Sequence, residues 1–289
     1  MKKAMAAGLP VVSTLATGDI RARVPEGIAG YVVRPADPDA LLLPPYHRLR
    51  GTRRHMSVNA TLIKRLGWLC RDECTAAMHI ARHPSDLTRN TQWLRQRTAS
   101  TMSLRMPWWP YDAISWVAAA LPLEARVFEY GGGGSTLWLA DRGAVVAVAE
   151  HDGLWHRQLA DSLPSSVRLL LRPPAAEGTV TAASVSGFFD DYVAAITGEP
   201  DGSLDLVIVD GRARVECVRR AIPKVRPGGL LLMDDTDRTR YQPAIDLLSE
   251  WERHVFTGLK PGHRAPAQTS VWRRPGSPGT PISRCRSGG

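Results

Sequence analysis

The chain has 289 residues, enough for one full domain and an appendage, and its 44% hydrophobic and 22% charged content is ordinary for a globular protein. No apolar run approaches the ~20 residues of a membrane helix, and four cysteines are too few for a disulfide scaffold of this size. The net charge of +9 is scattered through loops and the tail, with no basic helix face, so neither a membrane nor a nucleic acid is the expected partner. The opening Met1-Lys2-Lys3 and the mostly apolar stretch to Ala16 imitate a secretory leader. Gly8-Leu9-Pro10 interrupts it and no small-x-small cleavage site follows, so a cytoplasmic location is expected.

Residues 1–45 form a first segment. Gly8-Leu9-Pro10-Val11-Val12 predicts a turn into a short strand, Gly30-Tyr31-Val32-Val33 a second strand, and Pro38-Asp39-Ala40-Leu41 a helix start. These residues, with Ala4-Met5-Ala6-Ala7 before them, resemble the donor-sugar half of two-Rossmann-domain glycosyltransferases. Lys3 stands where that family carries the glutamate that holds the nucleotide-sugar ribose, and the acceptor half is absent. The resemblance therefore implies a remnant that cannot transfer sugar by itself.

Residues 46–105 predict a basic, partly helical linker. Leu62, Ile63, Leu66, Leu69, Cys70, Ala77 and Met78 recur at helical spacing over 61–81, and Pro84 stops that helix and opens another through Trp93. Cys70, Cys74, His79 and His83 are close in sequence but lack a Cys-x2-Cys knuckle. Half-buried cysteines and surface histidines are expected there in preference to zinc.

Residues 106–274 alternate strands and helices. Strands are predicted at 126–130, 144–149, 167–171, 204–209 and 229–233, with a closing pair at 254–257 and 269–273. Helices are predicted at 111–121, 135–141, 155–163, 187–196, 215–225 and 241–251. The fold class expected is α/β: a Rossmann-like, mainly parallel sheet with helices on both faces. Residues 275–289, rich in Arg, Pro, Ser and Gly, are expected to be a disordered tail.

The chemistry concentrates in the run Val127-Phe128-Glu129-Tyr130-Gly131-Gly132-Gly133-Gly134-Ser135-Thr136-Leu137. An apolar strand ends in an acid, then a glycine loop admits a ligand to the backbone, then a helix N-terminus offers free N–H groups. About twenty residues later the next strand ends in Glu150, where a Rossmann-type site places a carboxylate on ribose hydroxyls. The pattern acid-x-Gly-x-Gly-x-Ser resembles motif I of class I S-adenosylmethionine-dependent methyltransferases. Glu129 to Trp138, with Glu150-His151-Asp152 and Val209-Asp210-Gly211-Arg212-Ala213-Arg214, resembles a bacterial branch of that family. Pro227-Gly228-Gly229 leading to Asp234-Asp235 resembles the family's fifth strand and the turn before it.

The resemblance implies a methyltransferase that binds S-adenosylmethionine. In it Glu129 lies near the amino-acid part of the cofactor, Gly131, Gly133 and Ser135 line the loop, and Glu150 grips the ribose. After the third strand, Leu171-Arg172-Pro173-Pro174 offers no acid for the adenine amino group, so that pocket has no assigned residue. Asp210 faces the acceptor as a catalytic candidate. With Asp234 and Asp235 it forms a candidate Mg²⁺ site of the kind that holds a substrate diol, the alternative being a substrate-orienting Asp210 and helix-capping Asp234 or Asp235. His151 is a candidate base or a cofactor contact. Arg212 and Arg214 either steer an anionic substrate or pair with nearby acids. The expected reaction is O-methylation of a sugar or small metabolite, the sugar resting on the N-terminal remnant. The alternatives are a catalytically idle cofactor- or partner-binding protein and a nucleotide-sugar glycosyltransferase fragment.

Overall fold

A computed structural model of the chain describes residues 11–14, 30–33, 60–183 and 185–276, with side chains from residue 67 onward. The chain divides into two compact units, Met1–Leu69 and Cys70–Gly289. In the first, β1 (Val11–Thr14) and β2 (Gly30–Val33) pair in parallel, Val11 opposite Gly30. Both strands lie where the sequence predicts them. The helix start at Pro38, the rest of the glycosyltransferase-like text and residues 277–289 of the tail lie outside the described residues.

A helix, α1 (Ala60–Arg82), is followed by the short helices α2 (Pro84–Arg89), α3 (Trp93–Gln96) and α4 (Thr101–Leu104). Pro84 at the start of α2 lacks the N–H that would continue α1, which is why two helices form there. Ala76 of α1 packs with Trp93, Tyr111 and Leu259 in a small apolar cluster. Cys70 and Cys74 are exposed where the sequence predicts half-buried cysteines, and His79, predicted at the surface, is largely buried with Nε2 2.6 Å from Asp86 Oδ2.

From residue 111 the alternation runs α5 (Tyr111–Ala120), β3 (Arg126–Tyr130), α6 (Gly134–Ala140), β4 (Val145–Glu150), α7 (Gly153–Ala160) and β5 (Arg168–Leu171). It continues with a hairpin of β6 (Thr181–Ala182) and β7 (Val185–Phe188), α8 (Asp190–Ala194), β8 (Leu204–Val209), α9 (Arg214–Ala221) and β9 (Val225–Asp234). The last elements are α10 (Gln242–Leu247), β10 (Glu252–Gly258) and β11 (Ala267–Arg273). Seven strands make one sheet in the order β10-β11-β9-β8-β3-β4-β5, parallel except for β11. This is the mainly parallel, Rossmann-like α/β sheet that the sequence predicts.

The two-residue period of the strands sends side chains to two cores. Phe128, Tyr130, Val207, Val209, Leu231 and Met233 join α8, α9 and α10 on one face. Val127, Leu206, Ile208, Leu230 and Leu232 join α5 and α6 on the other. Both faces being covered explains why these strands are almost continuously apolar.

Several helix boundaries differ from expectation, two of them for reasons visible in the backbone. The stretch 187–196 begins as strand β7, because Gly187 has φ +97° and Phe188 bridges Ala175. The buried face Phe189, Tyr192, Val193 and Ile196 is real, but the helix starts three residues later, at Asp190. The helix expected over 215–225 ends at Ala221, since Ile222 precedes Pro223 and Val225 already belongs to β9.

Candidate functional site

The chain leaves β3 for β4 on one side and returns to β8 on the other, so the carboxyl ends of β3 and β8 form the switch point where ligands bind in such sheets. Gly131 there has φ +88°, and a Cβ on it would lie 2.8 Å from Gly211 Cα. The loops leaving β3 and β8 thus touch backbone to backbone, which glycine alone permits. Two residues on, a Cβ on Gly133 would meet nothing within 4 Å, so the loop is open on that side.

Glu129, 0% exposed, sits beneath the loop. Ser135 Oγ donates to its Oε1 and Thr136 Oγ1 to its Oε2 at 2.5 Å, while Thr136 Oγ1 also accepts the Gly133 N–H at 3.0 Å. The carboxyl therefore braces the start of α6. Burial pushes its pKa up to about 7 against the two hydroxyl bonds. The unfolded chain releases this proton near 4.5 and the folded chain near 7. Stability should accordingly fall as pH rises through that window, by roughly 3 kcal/mol, and then level off. Urea denaturation from about pH 5 to 8 checks this, and Glu129→Gln, which keeps the shape without the charge, should flatten the decline.

Glu150, 3% exposed, ends β4. Its Oε1 accepts the N–H groups of His151 and Asp152, each at 2.8 Å, and among the described residues nothing donates to Oε2. Asp152 caps α7 by accepting from the Leu154 and Trp155 N–H groups, and Trp155 Nε1 donates to Gly132 O at 2.7 Å. The turn after Glu150 and the glycine loop are thereby locked together. His151 Nδ1 lies 2.8 Å from Glu150 Oε1 without the alignment of a hydrogen bond, and Arg212 Nε donates to Nε2 at 3.4 Å. Its ring packs 5.9 Å from that of Tyr192, whose buried hydroxyl sits over Gly211 with no well-formed hydrogen bond.

Asp210, Asp234 and Asp235 do gather at the ends of β8 and β9, but around an arginine. Arg214, 8% exposed, places Nη2 3.0 Å from Asp210 Oδ1 and 3.2 Å from Asp235 Oδ2. Its Nε donates to Gly211 O at 3.1 Å and its Nη1 to Asp234 O. Arg238 takes the other oxygen of Asp235 at 3.0 Å, and Thr269 Oγ1 donates to Asp234 Oδ1. The expected metal site is therefore corrected. A guanidinium occupies the centre of the acidic cluster, and among the described residues no three His, Cys, Asp or Glu are arranged to hold an ion. The capping alternative fails too, because Asp234 is the last residue of β9 and Asp235 is held by the two arginines. Burial, reinforced by Asp234, holds the Asp210 carboxyl well above the usual range, although 17% of that side chain remains exposed.

Arg214 carries one of the two roles left open for it, pairing with acids. Trp155, Tyr192 and Lys260 escaped notice because the groups they meet lie far away in sequence. A separate cleft at the opposite, amino-terminal edge of the sheet is lined by Arg126, Arg168 and Glu199, which already pair with one another. No described helix is long and apolar enough to cross a membrane.

The sequence matches no protein-family model and no curated protein. Among solved structures, the precorrin 8w decarboxylase of Methanobacterium thermoautotrophicum is 18% identical over 62% of this chain and 93% of its own, with a TM-score of 0.42. A tRNA (m1A58) methyltransferase of Aquifex aeolicus is 13% identical over 58% of this chain and 70% of its own, with a TM-score of 0.41. A methyltransferase-like protein of Silicibacter pomeroyi is 24% identical over 60% of this chain and 92% of its own, with a TM-score of 0.39.

Proposed function

We propose that the chain is an S-adenosylmethionine-dependent methyltransferase acting on a hydroxyl of a sugar or another small metabolite. The observation that carries this reading is Glu150. It is a buried carboxylate at the carboxyl end of the strand beside the glycine loop, with one oxygen fixed by backbone N–H groups and the other without a donor among the described residues. Such an oxygen fits the two hydroxyls of a ribose, and the open side of Gly133 fits the amino-acid end of the same cofactor.

When bound, the cofactor supplies an electrophilic methyl group. Glu150 Oε2 accepts from the ribose hydroxyls, and Gly131, Gly133 and Ser135 shape the loop, braced by Glu129 from below. His151 is proposed as a cofactor contact, since Arg212 faces its Nε2 and Glu150 its Nδ1. Asp210 is the proposed catalytic group. Arg214 fixes its Oδ1, and Oδ2 takes the proton of the acceptor hydroxyl. The burial that raises its pKa makes it a better base than an ordinary carboxylate. Holding donor and acceptor in line supplies most of the remaining rate.

The test is transfer of a labelled methyl group from the cofactor to a panel of sugars and small hydroxyl compounds, with and without EDTA. Turnover is expected to be the same in both, because Arg214 already occupies the centre of the carboxylate cluster. Asp210→Asn should lower the rate by about 10²- to 10⁴-fold while leaving S-adenosylhomocysteine affinity unchanged. A Mg²⁺ requirement would overturn the metal-free site, and cofactor binding with no transfer to any acceptor would favour the catalytically idle alternative.

A further inference from the structure

Lys260 lies two residues beyond the end of β10, at the same carboxyl edge of the sheet, and only 3% of it is exposed. The backbone before it is fixed, because Leu259 O accepts the Tyr111 N–H at 3.0 Å. Its Nζ stands 4.1 Å from the centroid of the Trp108 ring. Among the described residues no group accepts a hydrogen bond from Nζ and no carboxylate comes within ion-pair distance, although Asp210 and Asp234 are near enough to feel its charge. An ammonium has three donors, and Nζ is not among the fully buried unpartnered atoms, so the little exposure that Lys260 keeps includes the ammonium itself.

The surroundings narrow what completes it. Trp108 is 44% exposed, leaving ring surface open beside the ammonium. His263 meets that ring edge-on at 5.4 Å and is kept neutral by burial and by Lys260 itself. Arg214 and Arg238 are committed to Asp210 and Asp235 and Arg212 faces His151, whereas Lys260 pairs with no carboxylate among the described residues. A neutral hydroxyl would meet one donor and leave the charge unpaired, whereas a carboxylate meets two and balances it. A phosphate dianion would meet stronger repulsion from Asp210 and Asp234.

We propose that Lys260 is the anchoring cation of the acceptor site, binding a carboxylate of the acceptor whose carbon body lies on the exposed part of Trp108. That the ligand is a methyl acceptor rests on the function proposed above; the anion site does not.

The test is titration of benzoate, benzyl alcohol and phenyl phosphate into the full chain loaded with S-adenosylhomocysteine, followed by calorimetry at constant ionic strength. Benzoate is expected to bind saturably in the millimolar range or tighter, and benzyl alcohol and phenyl phosphate about tenfold more weakly or worse. Lys260→Met should weaken benzoate at least about tenfold and Lys260→Arg only slightly, with S-adenosylhomocysteine affinity the same in all. Should Lys260→Met fail to fold, Lys260→Gln makes the same comparison. Equal benzoate affinity in the wild type and the neutral variant overturns the proposal. So does a wild type that binds no benzoate, or that binds the alcohol or the phosphate as well. If S-adenosylhomocysteine itself does not bind, the titration is run without it. Lysine-dependent benzoate binding then sustains the anion site while the methyltransferase reading falls.

Discussion

Glu150→Ala is expected to weaken S-adenosylhomocysteine binding by about 2 kcal/mol, a roughly 30-fold rise in Kd. The substitution removes the proposed charged acceptor for ribose hydroxyls, and bonds of that kind contribute more than neutral ones. It also releases the N–H groups of His151 and Asp152, which Glu150 Oε1 holds at 2.8 Å, so part of the loss could come from a loosened turn. Glu150→Gln separates the two effects. Its amide oxygen can still accept both N–H groups, so melting should stay near that of the wild type, while the position of Oε2 loses its charge and part of its accepting capacity. Affinity in both variants equal to that of the wild type would remove Glu150 from the site.

Arg214→Met is expected to destabilise the fold by about 3–5 kcal/mol, seen as a fall in Tm on the order of 10 °C. The guanidinium bonds Asp210 and Asp235 and ties down the carbonyls of Gly211 and Asp234. Its removal leaves carboxylates facing one another in a covered cluster, with Ala213 at φ 47° and Asp235 at φ 58° losing what holds them in that conformation. The sign of the pH dependence follows from Asp210, whose folded pKa is already raised chiefly by burial. Without Arg214 it rises further, so the deficit of the variant should be largest at alkaline pH and shrink as acid protonates the cluster. Melting curves at about pH 8 and pH 5.5 measure it. A variant that melts with the wild type at both would mean that the carboxylates do not depend on Arg214.

The sheet was legible because its strands are short apolar runs, each bounded by turn residues: Arg126–Tyr130 and Leu204–Val209 fall on their predicted bounds. Glu129 and Glu150 were legible for the same reason, as acids closing such runs. What single-sequence periodicity misses is set by backbone geometry. The φ of +97° at Gly187 turns an apparent helix start into a hairpin, and Pro223 cuts α9 short. The carboxylates of Asp210, Asp234 and Asp235 were found to converge as the order of the strands implies. That an arginine four residues after Asp210 would fold back among them, in place of a metal, depends on the left-handed Ala213, which no residue type announces. Lys260 lay in a loop with no motif at all, and its importance arises only from burial beside Trp108.

The most direct measurement is calorimetric titration of the full chain with S-adenosylhomocysteine, with NAD as the competing cofactor class. The expected result is one-to-one binding in the micromolar range and no binding of NAD, because the loop lacks the third glycine of a pyrophosphate-binding turn, Thr136 standing there, and its open side at Gly133 suits an amino-acid end. No heat with S-adenosylhomocysteine, or binding of NAD with equal affinity, would contradict the assignment of this site.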